Sequence, residues 1–337
     1  MTFDQKISKL KLANNNLLNE KEREMEKKLE NPETALSEDG GVYHLGLRPT
    51  DNLPKNIFLV GNPSRTLDVA KYFDKGDFIV RQNREFVTII GTYQGLPVAV
   101  IGTGIGPDNT EITAVELHTL NEYDHQRKIW KEEFQSLNII RLGTSGSPQS
   151  DITIGSLAIS LYAIGLDNLG RYYYFHSNDP TIRALTRRLM LTPLFMVNPY
   201  ISKATPKVVS ALVSGCQKIG LLENTTKGFY SGITISAPGF YVPQGRKIGR
   251  LSQIAFPDIQ NIIAKVNIHG LRVINNEMES SIMFRIFGEL LHYQVGTICA
   301  VLANRKTGEI VTPQEYHESI DRCIRAGLNA MKILNEK

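Results

Sequence analysis

Short apolar runs alternate with amphipathic stretches along most of this chain, and that alternation predicts its fold class. Ile57-Phe-Leu-Val60 is an apolar run that ends at Gly61. Asn62-Pro63 then opens a helical pattern, with Asn as the cap and Pro at the first helical position, where a missing N–H costs nothing. Pro97 to Gly102 (PVAVIG) is a second buried-strand candidate, followed by a glycine-rich turn and a helix over about 109–121. Asn138 to Gly143 (NIIRLG) repeats the theme. Further strands are predicted over 229–237, 271–274 and 295–302, and amphipathic helices over 181–191, 206–219, 279–293 and 313–333. Strands alternating with helices to the end predict an α/β domain with a largely parallel or mixed sheet. Residues 121–136 (NEYDHQRKIWKEEFQS) are polar and read as a surface insertion. No internal repeat or interior linker divides the chain after residue 40.

Residues 1–40 differ from the rest. Asn19 to Asn31 (NEKEREMEKKLEN) is almost all charge of mixed sign, which predicts a solvated extension, helical or disordered. The chain is then a charged N-terminal extension, 1–40, and one domain, 41–337.

Composition narrows the function classes. Of 337 residues, 38 are basic and 34 acidic, a formal net charge of +4, and no basic stripe accompanies it. Nucleic-acid binding is therefore not expected. The three cysteines, Cys216, Cys299 and Cys323, are far apart and form neither a metal pair nor a disulfide framework. Reduced thiols fit a cytoplasmic protein. The N-terminus has no apolar run of signal-peptide length and no window approaches the ~18 apolar residues of a membrane helix, so neither export nor a membrane partner is expected.

Three strand ends run into small, polar turns: Gly61-Asn-Pro-Ser-Arg65, Gly102-Thr-Gly-Ile-Gly106 and Arg141-Leu-Gly-Thr-Ser-Gly146. In open α/β sheets, ligands collect beyond the carboxyl ends of strands. Glycines there let backbone N–H groups approach an anion, and Arg65 and Arg141 would complete such a site with permanently charged donors. The turns alone support an anion site and plain tight turns equally. The common signatures are missing. Gly102, Gly104 and Gly106 give GxGxG, not GxGxxG, and there is no GxxxxGK[ST]. Gly143-Thr-Ser-Gly-Ser147 is not GxSxG. There is no HExxH, and the seven histidines lack metal-ligand spacing, so no metal is expected from them.

Six separated motifs in one order carry a resemblance. They are Tyr43-His-Leu-Gly-Leu47, Gly61-Asn-Pro-Ser-Arg65, Asn83-Arg-Glu-Phe86, Thr103-Gly-Ile-Gly106, Arg141-Leu-Gly-Thr-Ser-Gly146 and Asn276-Glu-Met-Glu-Ser-Ser281. Together they resemble the nucleoside phosphorylase superfamily from about Tyr43 to the C-terminus, patchily between 162 and 228. Two segments point to its uridine phosphorylase branch. Phe240-Tyr-Val-Pro-Gln-Gly-Arg246 carries the Gln-x-Arg pair that this branch uses on the uracil edge. Asn304-Arg305 stands where hexameric purine-cleaving relatives place Ser-Asp, whose aspartate protonates the purine.

The resemblance implies a single-domain, three-layer α/β/α fold around a central mixed, twisted sheet. It also implies reversible phosphorolysis of uridine, or a related pyrimidine nucleoside, to uracil and ribose 1-phosphate. Inorganic phosphate is a co-substrate, and no cofactor is implied. The phosphate would be held by Gly61, Arg65, Arg141 and Thr144, with Arg84 supplied across a subunit interface. The ribose would meet Met278, Glu279 and, from the neighbouring subunit, His44. The base would meet Ser145, Gly146, Phe240, Gln244, Arg246 and Arg305. Glu85 corresponds to a residue that holds potassium between subunits in some relatives. Such sharing implies a homo-oligomer, a dimer or a hexamer.

Read singly, Arg65 and Arg84 are equally surface ion-pair residues, Met278 a core methionine and His44 an exposed histidine. Two departures bear on phosphate. Asn62 replaces the aspartate of bacterial relatives, and Pro107-Asp-Asn109 replaces the usual x-Pro-Ser. Asp108 would oppose phosphate if it pointed inward, and would stabilise a helix start if it faced solvent. The alternatives are a purine or broad-specificity phosphorylase, a hydrolase of the same fold, and a non-catalytic nucleoside-binding protein.

Overall fold

The computed structural model describes residues 33–336, apart from 77 and 254–257. The predicted charged segment 19–31 lies outside the described residues. The first half of the sheet is built from β1 (Asn56–Val60), β2 (Ile79–Asn83), β3 (Phe86–Tyr93) and β4 (Leu96–Gly102), with α1 (Arg65–Ala70) between β1 and β2. Helix α2 (Pro107–Glu122) leads to a short hairpin of β5 (Tyr123–Asp124) and β6 (Ile129–Trp130). Then come β7 (Asn138–Ser147), β8 (Leu157–Gly165), α3 (Pro180–Met190), β9 (Tyr200–Lys203), α4 (Pro206–Lys218) and β10 (Phe229–Ser236). The chain closes with α5 (Ile259–Ala264), β11 (Asn267–Ile268), β12 (Leu271–Glu277), α6 (Ser280–Met283), β13 (Gln294–Asn304) and α7 (Pro313–Asn335).

All strands but β5 and β6 join one sheet, in the order β11-β12-β10-β8-β13-β7-β1-β4-β3-β2, with β9 alongside β8. Strands β13, β7, β1 and β4 run parallel, as do β8, β10 and β12, and the two groups meet antiparallel at β13 and β8. The sheet is therefore mixed. It also turns back on itself, because Asn276 of β12 bridges Gly146 of β7. Strands β7, β13, β8, β10 and β12 thus close a ring. Register shifts in β10 and β13 supply the extra coiling that closure needs. Closure brings the carboxyl ends of β7 and β12 together.

Both faces of the sheet are covered. On β1, Phe58 and Val60 face one core with α1, α4 and α7, while Ile57 and Leu59 face another with α2 and α6. This two-sided burial explains why β1, β4 and β7 read as continuous apolar runs. A third core joins α3 and α5 to β10 and β12. The long last helix starts at a reciprocal cap between Thr312 and Glu315, a Thr-x-x-Glu signature visible in the sequence.

Four local expectations change. The first helix starts at Arg65 rather than at Pro63, because Asn62 Oδ1 accepts from Ser64 N at 3.0 Å and holds a turn ahead of it. The third predicted turn, Arg141 to Gly146, is strand, since β7 runs on to Ser147 paired with β13. The predicted helix 279–293 is a short α-helix that widens into π-helix over Phe284–Leu290. The polar stretch 121–136 is not merely solvated: Trp130 folds back to stack on His118, ring centroids 4.7 Å apart. Strands β2, β3, β5, β6, β8, β9 and β11 were not predicted. The three cysteines are free and buried, as expected of reduced thiols.

Candidate active site

A cavity of about 510 Å³ opens at the carboxyl ends of β1, β7, β12 and β13. The turn after β1 contributes Gly61, Asn62 and Arg65, and β7 contributes Arg141, Thr144, Ser145 and Gly146. The end of β12 contributes Asn276 to Glu279, the segment after β10 contributes Phe240, Gln244 and Arg246, and the end of β13 contributes Arg305. Every predicted phosphate, ribose and base residue therefore lines one cavity, except Arg84 and His44.

At its centre is a buried ion triad. Arg141 Nη2 pairs with Glu279 Oε2, and Arg141 Nη1 lies 3.4 Å from Glu277 Oε2. Burial opposes the charge on Arg141, but Glu279 and Glu277 outweigh it and raise its pKa. Burial raises the pKa of Glu279 despite the attraction of Arg141. Glu279 Oε1 accepts from Gly106 N at 2.8 Å, which ties the segment after β12 to the second glycine turn. Glu277 accepts from the backbone of Glu279 and Ser280 and from the Ser236 hydroxyl. These bonds shape the turn that presents Met278 and Glu279. The sequence reading missed Glu277, although its acidic neighbour two residues on was the signal available.

Close approach explains two glycines. A Cβ at Gly143 would overlap Arg141 Nη1 and come within 2.6 Å of Cys299 Sγ. Residues 141 and 143 share one face of β7, so only a bare backbone leaves room for the guanidinium to lie along the strand. Likewise a Cβ at Gly146 would sit 2.9 Å from Arg305 Nε. Gly143→Ala is expected to displace Arg141 and destabilise the fold by about 1–3 kcal/mol, the cost of overfilling a packed site. The check is a thermal melt of the variant beside the parent chain, and an unchanged melting temperature would show that the guanidinium does not fill this space.

Positive charge dominates the two ends of the cavity. The cavity's ion pairs all fall on Arg141. Among the described residues, Arg65, Arg246 and Arg305 have no carboxylate oxygen within 4 Å. Arg65 is buried, and its Nη1 donates to the Leu142 carbonyl at 3.2 Å, which fixes the fork beside β7. At the other end, burial and then the neighbouring Arg246 pull Arg305 down to about 10, so it stays charged at neutral pH. Burial lowers Arg246 as well. Its guanidinium stacks 3.8 Å from the Phe240 ring centroid, so one face of that ring is already covered. The Nε atoms of both arginines are buried without a hydrogen-bond partner among the described residues.

Neutral donors and acceptors complete this end. Gln244 is buried, and its side-chain amide makes no hydrogen bond among the described residues. Asn276 is 1% exposed with both amide atoms unpartnered, a cavity residue that the sequence reading passed over. Asn304, by contrast, is spent on the fold: its Nδ2 donates to Gln149 and Ile152 carbonyls and its Oδ1 accepts from Lys306 and Thr307. Asp108 is exposed in the first turn of α2, the solvent-facing alternative of the two.

The remaining candidates lie elsewhere. His44 Nδ1 is 2.6 Å from the buried Glu116 Oε1, outside the cavity. Arg84 and Glu85 form the two-residue loop between β2 and β3, both about half exposed, 3.8 Å apart. Arg84 is held at φ +51°, a conformation that non-glycine residues rarely adopt. None of the three touches this chain's own cavity.

The comparisons with known proteins follow this geometry. A family model described as the phosphorylase superfamily matches residues 55–336. Uridine phosphorylase of Thermococcus kodakarensis is 27% identical over 93% of this chain and 93% of its own length. Uridine phosphorylase of Haemophilus influenzae is 25% identical over 87% of this chain and 98% of its own. A crystal structure of Trypanosoma brucei nucleoside phosphorylase, described as showing uridine phosphorylase activity, matches with a TM-score of 0.82 at 30% identity. That match covers 89% of this chain and 99% of the other.

Proposed function

This chain belongs to the phosphorylase superfamily, matched over residues 55–336, and from that premise we propose that it is a uridine phosphorylase. It cleaves uridine with inorganic phosphate to give uracil and α-D-ribose 1-phosphate, a pentosyl transfer. The observation that carries this reading is the charge layout: Arg65 at one end and Arg246 with Arg305 at the other, all without carboxylate partners, flank the Arg141–Glu279 pair. A phosphate dianion answers the first charge and a departing uracil anion the second.

On this reading, Gly61, Arg65, Arg141 and Thr144 hold phosphate below C1′, and Glu279 accepts from the ribose hydroxyls while Met278 packs the sugar. Ser145 and Gly146 lie under the base, beside Phe240. Gln244 both donates and accepts, which fits the carbonyl and N3–H of a uracil edge. Arg246 and Arg305 stabilise charge as it develops on the base oxygens. The glycosidic bond lengthens toward an oxocarbenium-like state and phosphate collapses onto C1′ with inversion, with no covalent intermediate on the protein. Positioning and electrostatics carry the rate. A purine substrate is not favoured, because Asn304 is engaged in its own turn and Arg305 enters the cavity instead.

His44 and Arg84 serve a neighbouring copy in this reading, which makes the working unit a homo-oligomer with shared sites. Neither residue lines this chain's own cavity, which supports that. Glu85 would take part in a potassium site at the same interface. Among the described residues no helix is long and apolar enough to cross a membrane, and we place the enzyme in cytoplasmic pyrimidine salvage. The test is uracil release from uridine with and without phosphate, with inosine in parallel. Phosphate-dependent uracil release without inosine cleavage is expected. Release without phosphate would make it a hydrolase, inosine cleavage would overturn the base assignment, and no release would leave a binding protein.

A further inference from the structure

A second cavity, of about 310 Å³, shares no lining residue with the first. It lies between α3, β9, the segment before α3 and the π-helical stretch. Four arginines line it: Arg171, Arg183, Arg187 and Arg285. Arg183 and Arg187 are exposed one turn apart on α3, a like-charge spacing that an isolated helix disfavours. Arg171 is pinned by the carbonyls of Asn198 and Pro199. None of these three has a carboxylate oxygen within 4 Å among the described residues.

Arg285 is the floor and is 5% exposed. Its guanidinium lies 4.4 Å from the Phe175 ring centroid. Its Nη1 is 3.0 Å from Glu289 Oε2, yet the pair is misaligned, and Nη1 and Nε complete no hydrogen bond. Burial lowers the pKa of Arg285. The Arg285 guanidinium, whose Nη2 donates to the Ile201 carbonyl at 3.0 Å, adds its charge beneath three arginines and beside the hydroxyls of Ser177 and Thr186, so the cavity is strongly positive and suited to an anion. Ile182, Phe175 and Tyr200 give it an apolar wall for an organic group. Its size suits a small molecule rather than a bare ion.

We propose that this cavity is a second binding site, remote from the catalytic one, for a phosphate monoester of a small organic molecule. Four guanidinium groups and no carboxylate line the cavity among the described residues, so a dianion restores balance better than a single carboxylate would. The proposal does not rest on the uridine phosphorylase reading.

The test is equilibrium binding of ribose 5-phosphate, by calorimetry, to the full chain and two variants. In the first, Arg183→Glu and Arg187→Glu are combined; both side chains are exposed, so folding and uridine turnover should persist. The second is Arg141→Ala, which removes the phosphate fork of the catalytic cavity. The double variant should lose a class of sites, its affinity weakened by at least about tenfold, and Arg141→Ala should keep that class. Binding unchanged in the double variant, or lost wholly in Arg141→Ala, would overturn the proposal. If Arg141→Ala melts at a much lower temperature, Arg65→Gln replaces it with the same expected outcome.

Discussion

Arg141→Ala is expected to lower kcat/KM for uridine phosphorolysis by at least about a thousandfold, because on the proposed reading it removes the charged fork that holds the phosphate. The expectation is larger than for an ordinary surface arginine for a structural reason. Arg141 is the shared partner of Glu277 and Glu279, and all three are buried. Removing it leaves two carboxylates without their cation in a low-dielectric site, which costs roughly 3–5 kcal/mol of stability. Glu279 would then be driven further toward its protonated form, since burial already raises its pKa and Arg141 is what opposes that. A neutral Glu279 is a poorer acceptor for ribose hydroxyls. Kinetics should therefore be read beside a thermal melt at the assay temperature. Near-normal phosphorolysis by a folded Arg141→Ala protein would refute the phosphate assignment.

Gln244→Ala should cost roughly a hundredfold in kcat/KM with uridine. Gln244 sits in a short helical turn, 4% exposed, and its backbone carbonyl accepts from Gln260 Nε2. That backbone anchor leaves the side-chain amide free for the cavity. Truncation would leave the matching carbonyl and N3–H of a bound uracil without partners in a closed site, which is where a missing hydrogen bond costs most. The loss should fall on the base and not on phosphate, so phosphate KM should hardly move. Unchanged uridine kinetics would count against the pyrimidine reading.

Parts of this site were readable in the sequence because they are local. The turn Gly61 to Arg65 follows an apolar run and announced itself by composition, whereas the Asn276 to Ser281 motif was found by its resemblance to the family pattern. Glu277 was quoted within that motif yet given no role, because what makes it matter is its hydrogen bonds to Ser236, Glu279 and Ser280. Gly143 was read as part of a turn. It belongs to a strand, and its reason for being glycine is the Arg141 side chain two residues away. The β2–β3 hairpin escaped notice because its loop is Arg84-Glu85 rather than an Asn-Gly or Asp-Gly pair. Strand β8 escaped because a buried apolar run such as Leu157–Gly165 carries no period to tell it from a helix.

The sequence by itself determined the fold class and the positions of β1, β4, β7, β10, β12 and β13, which follow from periodicity and composition within a few residues, where backbone geometry dictates which side chains share a face. The candidate phosphate and base residues were named by the resemblance of ordered motifs. Only the tertiary structure decided how they meet. The bridge from Asn276 to Gly146 closes the ring that puts Glu279 against Arg141, and strand order brings Arg305 through the space above Gly146. It also separated His44 and Arg84 from this chain's own cavity. Such contacts join residues more than a hundred positions apart, and no local pattern encodes the sheet order that brings them together.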